Sequence, residues 1–197
     1  SKAPLIIYDP RLPAGKNGQA CAAVTGNIDL APTLLALAGE PAPAGLDGRS
    51  LLPLLADPTS RVRDSLPLFN FWGTPSAQSM AVVTPEWKYI YWYYGVGMKP
   101  TEELFHLTED RYEMTNIAAN PTHAGVLAKL RADYDVQLAA IQRQFVPQHA
   151  YDHYPVVFSR TAPWDQKAGL LGQLKVKSGA GDDEPSDQPK KKRKTAK

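Results

Sequence analysis

Residues 4–8, Pro-Leu-Ile-Ile-Tyr, form a near-continuous apolar run followed by turn formers between Asp9 and Gly18. That pattern predicts a strand buried on both faces, which needs neighbouring strands and covering helices. Asp29 to Ala38 predicts a short helix: Asp29 is placed to cap the first amides, Pro32 lies in the first turn, and Gly39 suits a left-handed exit. Leu30, Leu34, Leu35 and Leu37 make this helix apolar over much of its circumference, so its stability must come mostly from packing on something else. Residues 40–67 are proline-rich and contain Leu46-Asp47-Gly48-Arg49-Ser50-Leu51-Leu52, which reads as a turn with apolar anchors. A domain boundary is expected there.

From Leu66 onward the pattern changes to short strands at Leu66 to Trp72, Met80 to Thr84, Trp87 to Tyr94 and Glu103 to Leu107. Tight links at Thr84-Pro85-Glu86 and from Gly95 to Pro100 predict an antiparallel meander. Asn120 and Pro121 then supply a cap and a first-turn proline. After them Leu127, Leu130, Tyr134, Leu138, Ile141 and Phe145 recur at helical spacing, which predicts an amphipathic helix ending before Pro147. Its apolar stripe is expected to cover one face of the sheet.

Composition adds limits rather than a function. The 197 residues hold 22 Lys and Arg against 20 Asp and Glu, but Lys190 to Lys194 and Lys197 supply six of the bases, so residues 1–181 balance at 16 of each sign. The folded body therefore carries no nucleic-acid footprint. Residues 165–197 are expected to be a disordered tail with an acidic stretch, Asp182 to Asp187, and a basic run, Pro189 to Lys194 (PKKKRK), resembling a nuclear localisation signal. No apolar run reaches the roughly 18 residues of a membrane span. The chain starts without an initiator Met and without a signal-peptide pattern, and the opening strand is expected to be the edge of a larger sheet. Cys21 is the single cysteine, which excludes an intramolecular disulfide and a multi-cysteine metal site.

Each candidate for chemistry has a plain structural alternative. Cys21, set among alanines with no nearby His, reads as a small loop or buried residue rather than a nucleophile. His149 and His153, with Asp152, have metal-ligand spacing, but Pro147 and Pro155 bracket them too closely for a sustained helix. Gly15-Lys16-Asn17-Gly18 lacks the spacing of a phosphate loop and reads as a turn. Trp87, Tyr89, Tyr91, Trp92, Tyr93 and Tyr94 place six of the 18 aromatics within eight residues. This segment is either a central strand packed on both faces or, with Trp72, a stacking platform for a sugar or aryl group, and burial is the favoured reading.

PLIIYD at 4–9, IDLAPTLLALAG at 28–39, LDGRSLLPLL at 46–55, WKYI at 87–90 and ELFHLTEDRYEMTNIAANP at 103–121 together resemble the C-terminal portion of sulfatases in the alkaline phosphatase superfamily. The resemblance covers roughly residues 3–145. Departures are Phe105 for the usual Tyr, His106 for Asp, Arg111 for Pro and Ile117 for Leu. The implied fold is an α/β remnant, the last strand and helix of an alkaline-phosphatase-like domain, over residues 1–63. It is followed over 64–164 by an α+β subdomain, a four-stranded antiparallel sheet packed on a long helix, with 165–197 as the tail.

The resemblance further implies hydrolysis of sulfate esters by a calcium-bound formylglycine made in C-x-P-x-R, in an exported protein acting on a sulfated small molecule or glycan. None of that machinery is expected in this chain. Cys21 is followed by Ala22, Ala23, Val24 and Thr25, and Ser65-Leu66-Pro67 lacks the Arg, with Phe69 in its place. No catalytic residue, no metal ligand and no resident cofactor are therefore assigned to it, and the substrate-binding residues are left unassigned. The expectation is the C-terminal part of a sulfuric ester hydrolase that shapes the substrate pocket, contacts an N-terminal catalytic region and is inactive alone. Alternatives are the equivalent part of a phosphonate or phosphodiester hydrolase, or a non-catalytic interaction module.

Overall fold

The computed structural model describes residues 4–70, 77–94, 99–142 and 153–170. Its centre is a four-stranded antiparallel sheet in the order β1 (Leu66–Asn70), β2 (Ala77–Val83), β3 (Trp87–Tyr94) and β4 (Thr101–His106), the expected meander. The part of the first expected strand at 71 and 72 lies outside the described residues. The β2–β3 turn is closed by Thr84, whose amide donates to the Trp87 carbonyl at 2.8 Å and whose hydroxyl accepts from the Trp87 amide at 2.9 Å.

Alternation along β3 sorts its side chains as the pleat requires. Tyr89 pairs with Val82 and Leu104, and Tyr91 pairs with Met80. These residues and Tyr93 form the main core with Leu127, Leu130, Tyr134 and Leu138 of α3 (Ala124–Gln142). Ala81, Ile90, Phe105 and Leu107 form a smaller cluster of their own. The helical spacing read from the sequence thus places its stripe on the sheet, each fully buried large side chain contributing about 1.5–3 kcal/mol. Phe145 and Pro147 lie outside the described residues. Asn120 caps the entry as expected, its Oδ1 accepting from the Thr122 amide at 3.0 Å in a short 3-10 turn that precedes α3.

The first 63 residues contain α1 (Leu30–Ala38) and α2 (Leu52–Ala56). Gly39 ends α1 in the left-handed region at φ 77°. Residues 4–8 lie in no helix or strand, and Leu5, Ile6 and Tyr8 are exposed, Ile6 at 91%. A ladder needs a partner strand, and no described segment pairs with them, so the expected strand is not formed here. The α/β part of the fold expectation is therefore not reproduced, whereas the α+β part is. Leu34 of α1 is likewise 66% exposed, while Pro32 and Thr33 face inward.

Beyond α3, α4 (Tyr154–Val157) and a helical stretch at 164–170 continue the ordered body. Tyr154, Val157, Phe158 and Lys167 are buried. The expected start of the tail at 165 falls inside this helical stretch, because Lys167 enters the core. Residues 171–197, with the acidic stretch and the basic run, lie outside the described residues.

Candidate functional site

Asp29 ties the entry of α1 to the loop before α2 and to the segment that leads into β1. It sits directly before α1, yet its carboxylate does not cap that helix. Instead it accepts from the Gly26 amide at 2.8 Å, the Arg49 amide at 2.8 Å and both terminal nitrogens of Arg63 at 2.5 and 2.6 Å. The Asp29 side chain is fully buried and that of Arg63 is 7% exposed. Burial alone would raise the Asp29 carboxyl, but the hydrogen bonds from Arg63, Arg49 and Gly26 outweigh it and hold the group below its ordinary value.

The close fit depends on Gly48, where a Cβ would stand 1.8 Å from the Ile28 carbonyl oxygen. Thr33 completes the junction, its hydroxyl donating to the Asp29 carbonyl at 2.5 Å and accepting from the Leu51 amide at 2.9 Å. Sequence reading gave Asp29 the wrong partner because Arg49 and Arg63 lie 20 and 34 residues away.

Two grooves flank this junction. The first, of about 700 Å³, is lined by Arg49, Arg61, Arg63, Ser65, Trp87 and Lys129 among others, and Asp64, Glu86 and Asp133 offset most of its positive charge. The second, of about 510 Å³, is mostly apolar and is bounded by Leu5, Ile6, Ile7, Leu51, Leu54 and Leu55. Cys21 is exposed on the wall of the second groove. Lys16 and Asn17 form a turn there: the Asn17 amide group donates to the Asp9 carbonyl at 3.0 Å, and Lys16 Nζ reaches the Ala56 carbonyl at 3.3 Å.

The aromatic strand follows the burial reading. Tyr89, Tyr91 and Tyr93 are buried, and the Tyr89 and Tyr91 rings meet Tyr134 edge-on at 5.4 and 6.0 Å. Trp87 stacks on His106 at 4.0 Å and lies 5.5 Å from His123, so imidazoles occupy the surroundings of its ring. Trp92 Nε1 donates to Glu103 at 2.7 Å. Trp72, the remaining member of the alternative platform, lies outside the described residues. His106, which departs from the sulfatase pattern, lies 3.0 Å from Glu109 and 3.0 Å from the Thr108 hydroxyl.

Glu102, opposite Tyr91 on β4, accepts from the Tyr89 hydroxyl at 2.5 Å and from Arg131, and Arg160 approaches it at 3.4 Å. Burial would raise its carboxyl, and Arg131 and Tyr89 together hold it low. Burial and the Glu102 carboxylate push the Tyr89 phenol well above the ordinary range, so this tyrosine is a fixed donor rather than an acid. The arrangement ties sheet, α3 and C-terminal segment together and leaves no group poised for proton transfer among these residues.

Of the three residues with metal-ligand spacing, His153 stands beside Tyr154, with ring centroids 4.2 Å apart, while His149 and Asp152 lie outside the described residues. Among the described residues no three His, Cys, Asp or Glu side chains come together. The residues present there do not fit a calcium site, and no chemical step is derived through calcium or formylglycine. No helix of the described residues is long and apolar enough to cross a membrane.

A family model described as "N-sulphoglucosamine sulphohydrolase, C-terminal" matches residues 1–142. Arylsulfatase K of Gallus gallus is 36% identical over 125 residues, which are 60% of this chain and 22% of that protein. Choline-sulfatase of Rhizobium meliloti is 31% identical over 144 residues, 71% of this chain and 26% of that protein. A crystal structure assigned as a sulfatase from Bacteroides thetaiotaomicron superposes with a TM-score of 0.51 at 26% identity, covering 71% of this chain and 28% of that one. The chain thus spans about a quarter of the length of the two curated relatives.

Proposed function

The chain belongs to the family of N-sulphoglucosamine sulphohydrolase C-terminal domains, and from that membership we propose that it supplies the C-terminal part of a sulfuric ester hydrolase. In this reading the sheet and α3 form a rigid accessory unit that shapes a substrate pocket. The nucleophile and metal ligands are carried on another stretch of polypeptide, and residues 4–8 with α1 are the edge that meets it.

The observation that carries the reading is the apolar surface left open on the first 63 residues. Leu5 and Ile6 are exposed on the wall of a groove that the described residues do not fill, and Tyr8 and Leu34 are exposed as well. Exposed apolar side chains beside an open groove mark a contact. The curated relatives are about four times as long as the stretch they share with this chain. A catalytic α/β domain carrying a strand edge is the partner whose chemistry fits.

An assay of the 197-residue chain against a chromogenic aryl sulfate, with calcium present, tests the division of labour. No release of phenolate above the blank is expected. Turnover by the purified chain that survives repeated chromatography overturns the proposal that the reacting groups lie elsewhere.

A further inference from the structure

Residues 153–170 lie beyond the stretch that matches the family, yet they complete the main core. Phe158 packs on Phe69 at 5.9 Å and its carbonyl accepts from the Tyr134 hydroxyl at 2.8 Å. Trp164 stacks on Tyr93 at 5.9 Å. Arg160 forms a two-pronged pair with Asp135 at 2.8 and 3.0 Å. The segment therefore closes over the aromatic face of β3 from outside the matched stretch.

Two features of that closure are unfavourable. Lys167 is 1% exposed, and its Nζ donates to the Tyr91 hydroxyl and to the Ser159 carbonyl at 2.5 Å while lying 4.6 Å from the Tyr91 ring centroid. All of these are neutral partners, and no carboxylate among the described residues forms an ion pair with it. An ammonium buried this way loses its hydration without a counter-charge. The Tyr93 hydroxyl is also buried, with no hydrogen-bond partner among the described residues.

We propose that residues 153–170 are a separable clasp over the aromatic face of β3, whose hold is weakened by the buried Lys167 ammonium, so that it opens before the rest of the fold and tightens when the amine loses its proton. Opening uncovers Phe69, Tyr91 and Tyr93 while leaving sheet and α3 intact.

The sign follows from the protonation balance. Burial pushes the Lys167 amine down from 10.5 to about 8 when the clasp is closed. The closed state thus binds fewer protons than the open one. The Lys167 contribution to closing is insensitive to pH below about 8, strengthens by up to tenfold per pH unit between about 8 and 10.5, and gains nothing more above. The neighbouring tyrosines oppose this only weakly below pH 9.5: burial pushes Tyr91 and Tyr93 from 10.0 up to about 12, so uncovering them favours opening as pH rises past about 10, and burial holds Tyr134 still higher. Glu102 is engaged by Tyr89, Arg131 and Arg160, Asp135 is held by Arg160, and Asp165 on the clasp itself faces solvent.

Native-state hydrogen exchange of the full chain, read by mass spectrometry from pH 7.5 to 9.5 and corrected for intrinsic rates, tests this. Peptides from 154–170 should exchange through an opening distinct from that of β3. Their protection should rise by roughly ten- to twentyfold over this range, the factor that Lys167 values of about 8 closed and 10.5 open imply, less the small opposing share of Tyr91 and Tyr93. Lys167→Met should raise protection at pH 7.5 by about tenfold or more and abolish the rise, since the variant has no amine to discharge. The proposal is overturned if 154–170 and β3 open together at every pH, if the parent shows no rise, or if Lys167→Met loosens the segment. Should the variant fail to fold, the series on the parent decides alone.

Discussion

Replacing Asp29 by Ala tests the junction that ties the entry of α1 to the loop before α2 and to the approach to β1. The substitution strands the Arg63 guanidinium at 7% exposure and removes the acceptor for the Gly26 and Arg49 amides. Removing one partner of a buried ion pair costs about 3–5 kcal/mol, and each buried amide left without a partner adds about 1 kcal/mol or more. A total near 5 kcal/mol is a large part of the roughly 5–15 kcal/mol that holds a domain folded. Asp29→Ala is therefore expected to lower the urea midpoint steeply at pH 7, followed by far-UV circular dichroism.

Combining Asp29→Ala with Arg63→Met removes the uncompensated charge, and the double variant should be more stable than Asp29→Ala alone by about 2 kcal/mol. Acid acts in the same direction. The Asp29 carboxyl is held below its unfolded value, so the stability it contributes is full above about pH 4 and is lost as pH falls through the lower folded value. Asp29→Asn should lack that component of the acid transition. A cost below about 1 kcal/mol for Asp29→Ala, or additive effects at the two sites, would refute this account of the junction.

Four further outcomes are expected. Gly48→Ala should destabilise by about 3 kcal/mol or more in the same denaturation assay, because the added Cβ meets the Ile28 carbonyl oxygen at 1.8 Å and the backbone must move. Tyr134→Phe should cost about 1 kcal/mol or more, since the Phe158 carbonyl loses its buried donor. Calorimetric titration of the chain with calcium should give no saturable heat. Residues 64–170 expressed alone should be folded by circular dichroism and more soluble than the full chain, having shed the exposed Leu5, Ile6, Tyr8 and Leu34, and an insoluble product beside a soluble parent would place the boundary elsewhere.

The subdomain was legible because its signals are periodic and local. Alternation in β3 sends Tyr89, Tyr91 and Tyr93 to one face, and the spacing of Leu127, Leu130, Tyr134 and Leu138 matches that face with a helical stripe. Asn120 and Gly39 act at the positions their chemistry favours. Three features escaped because their causes are distant in sequence. Asp29 serves an arginine 34 residues away rather than the helix it precedes. Lys167 is drawn into the core by Tyr91, 76 residues earlier, in a stretch whose composition reads as tail. Residues 4–8 have the composition of a central strand, but composition supplies no neighbour to pair with.

The central claim is that this chain is the accessory, non-reacting portion of a sulfatase. A chimera tests it most directly: the matching stretch of Gallus gallus arylsulfatase K is replaced by residues 1–142, and kcat and KM are measured with a chromogenic aryl sulfate. The account predicts a folded chimera that retains turnover with kcat within about tenfold of the parent and a changed KM, because the groups that react are untouched and only the pocket wall is altered. A chimera that folds with its calcium bound yet shows no turnover would contradict it.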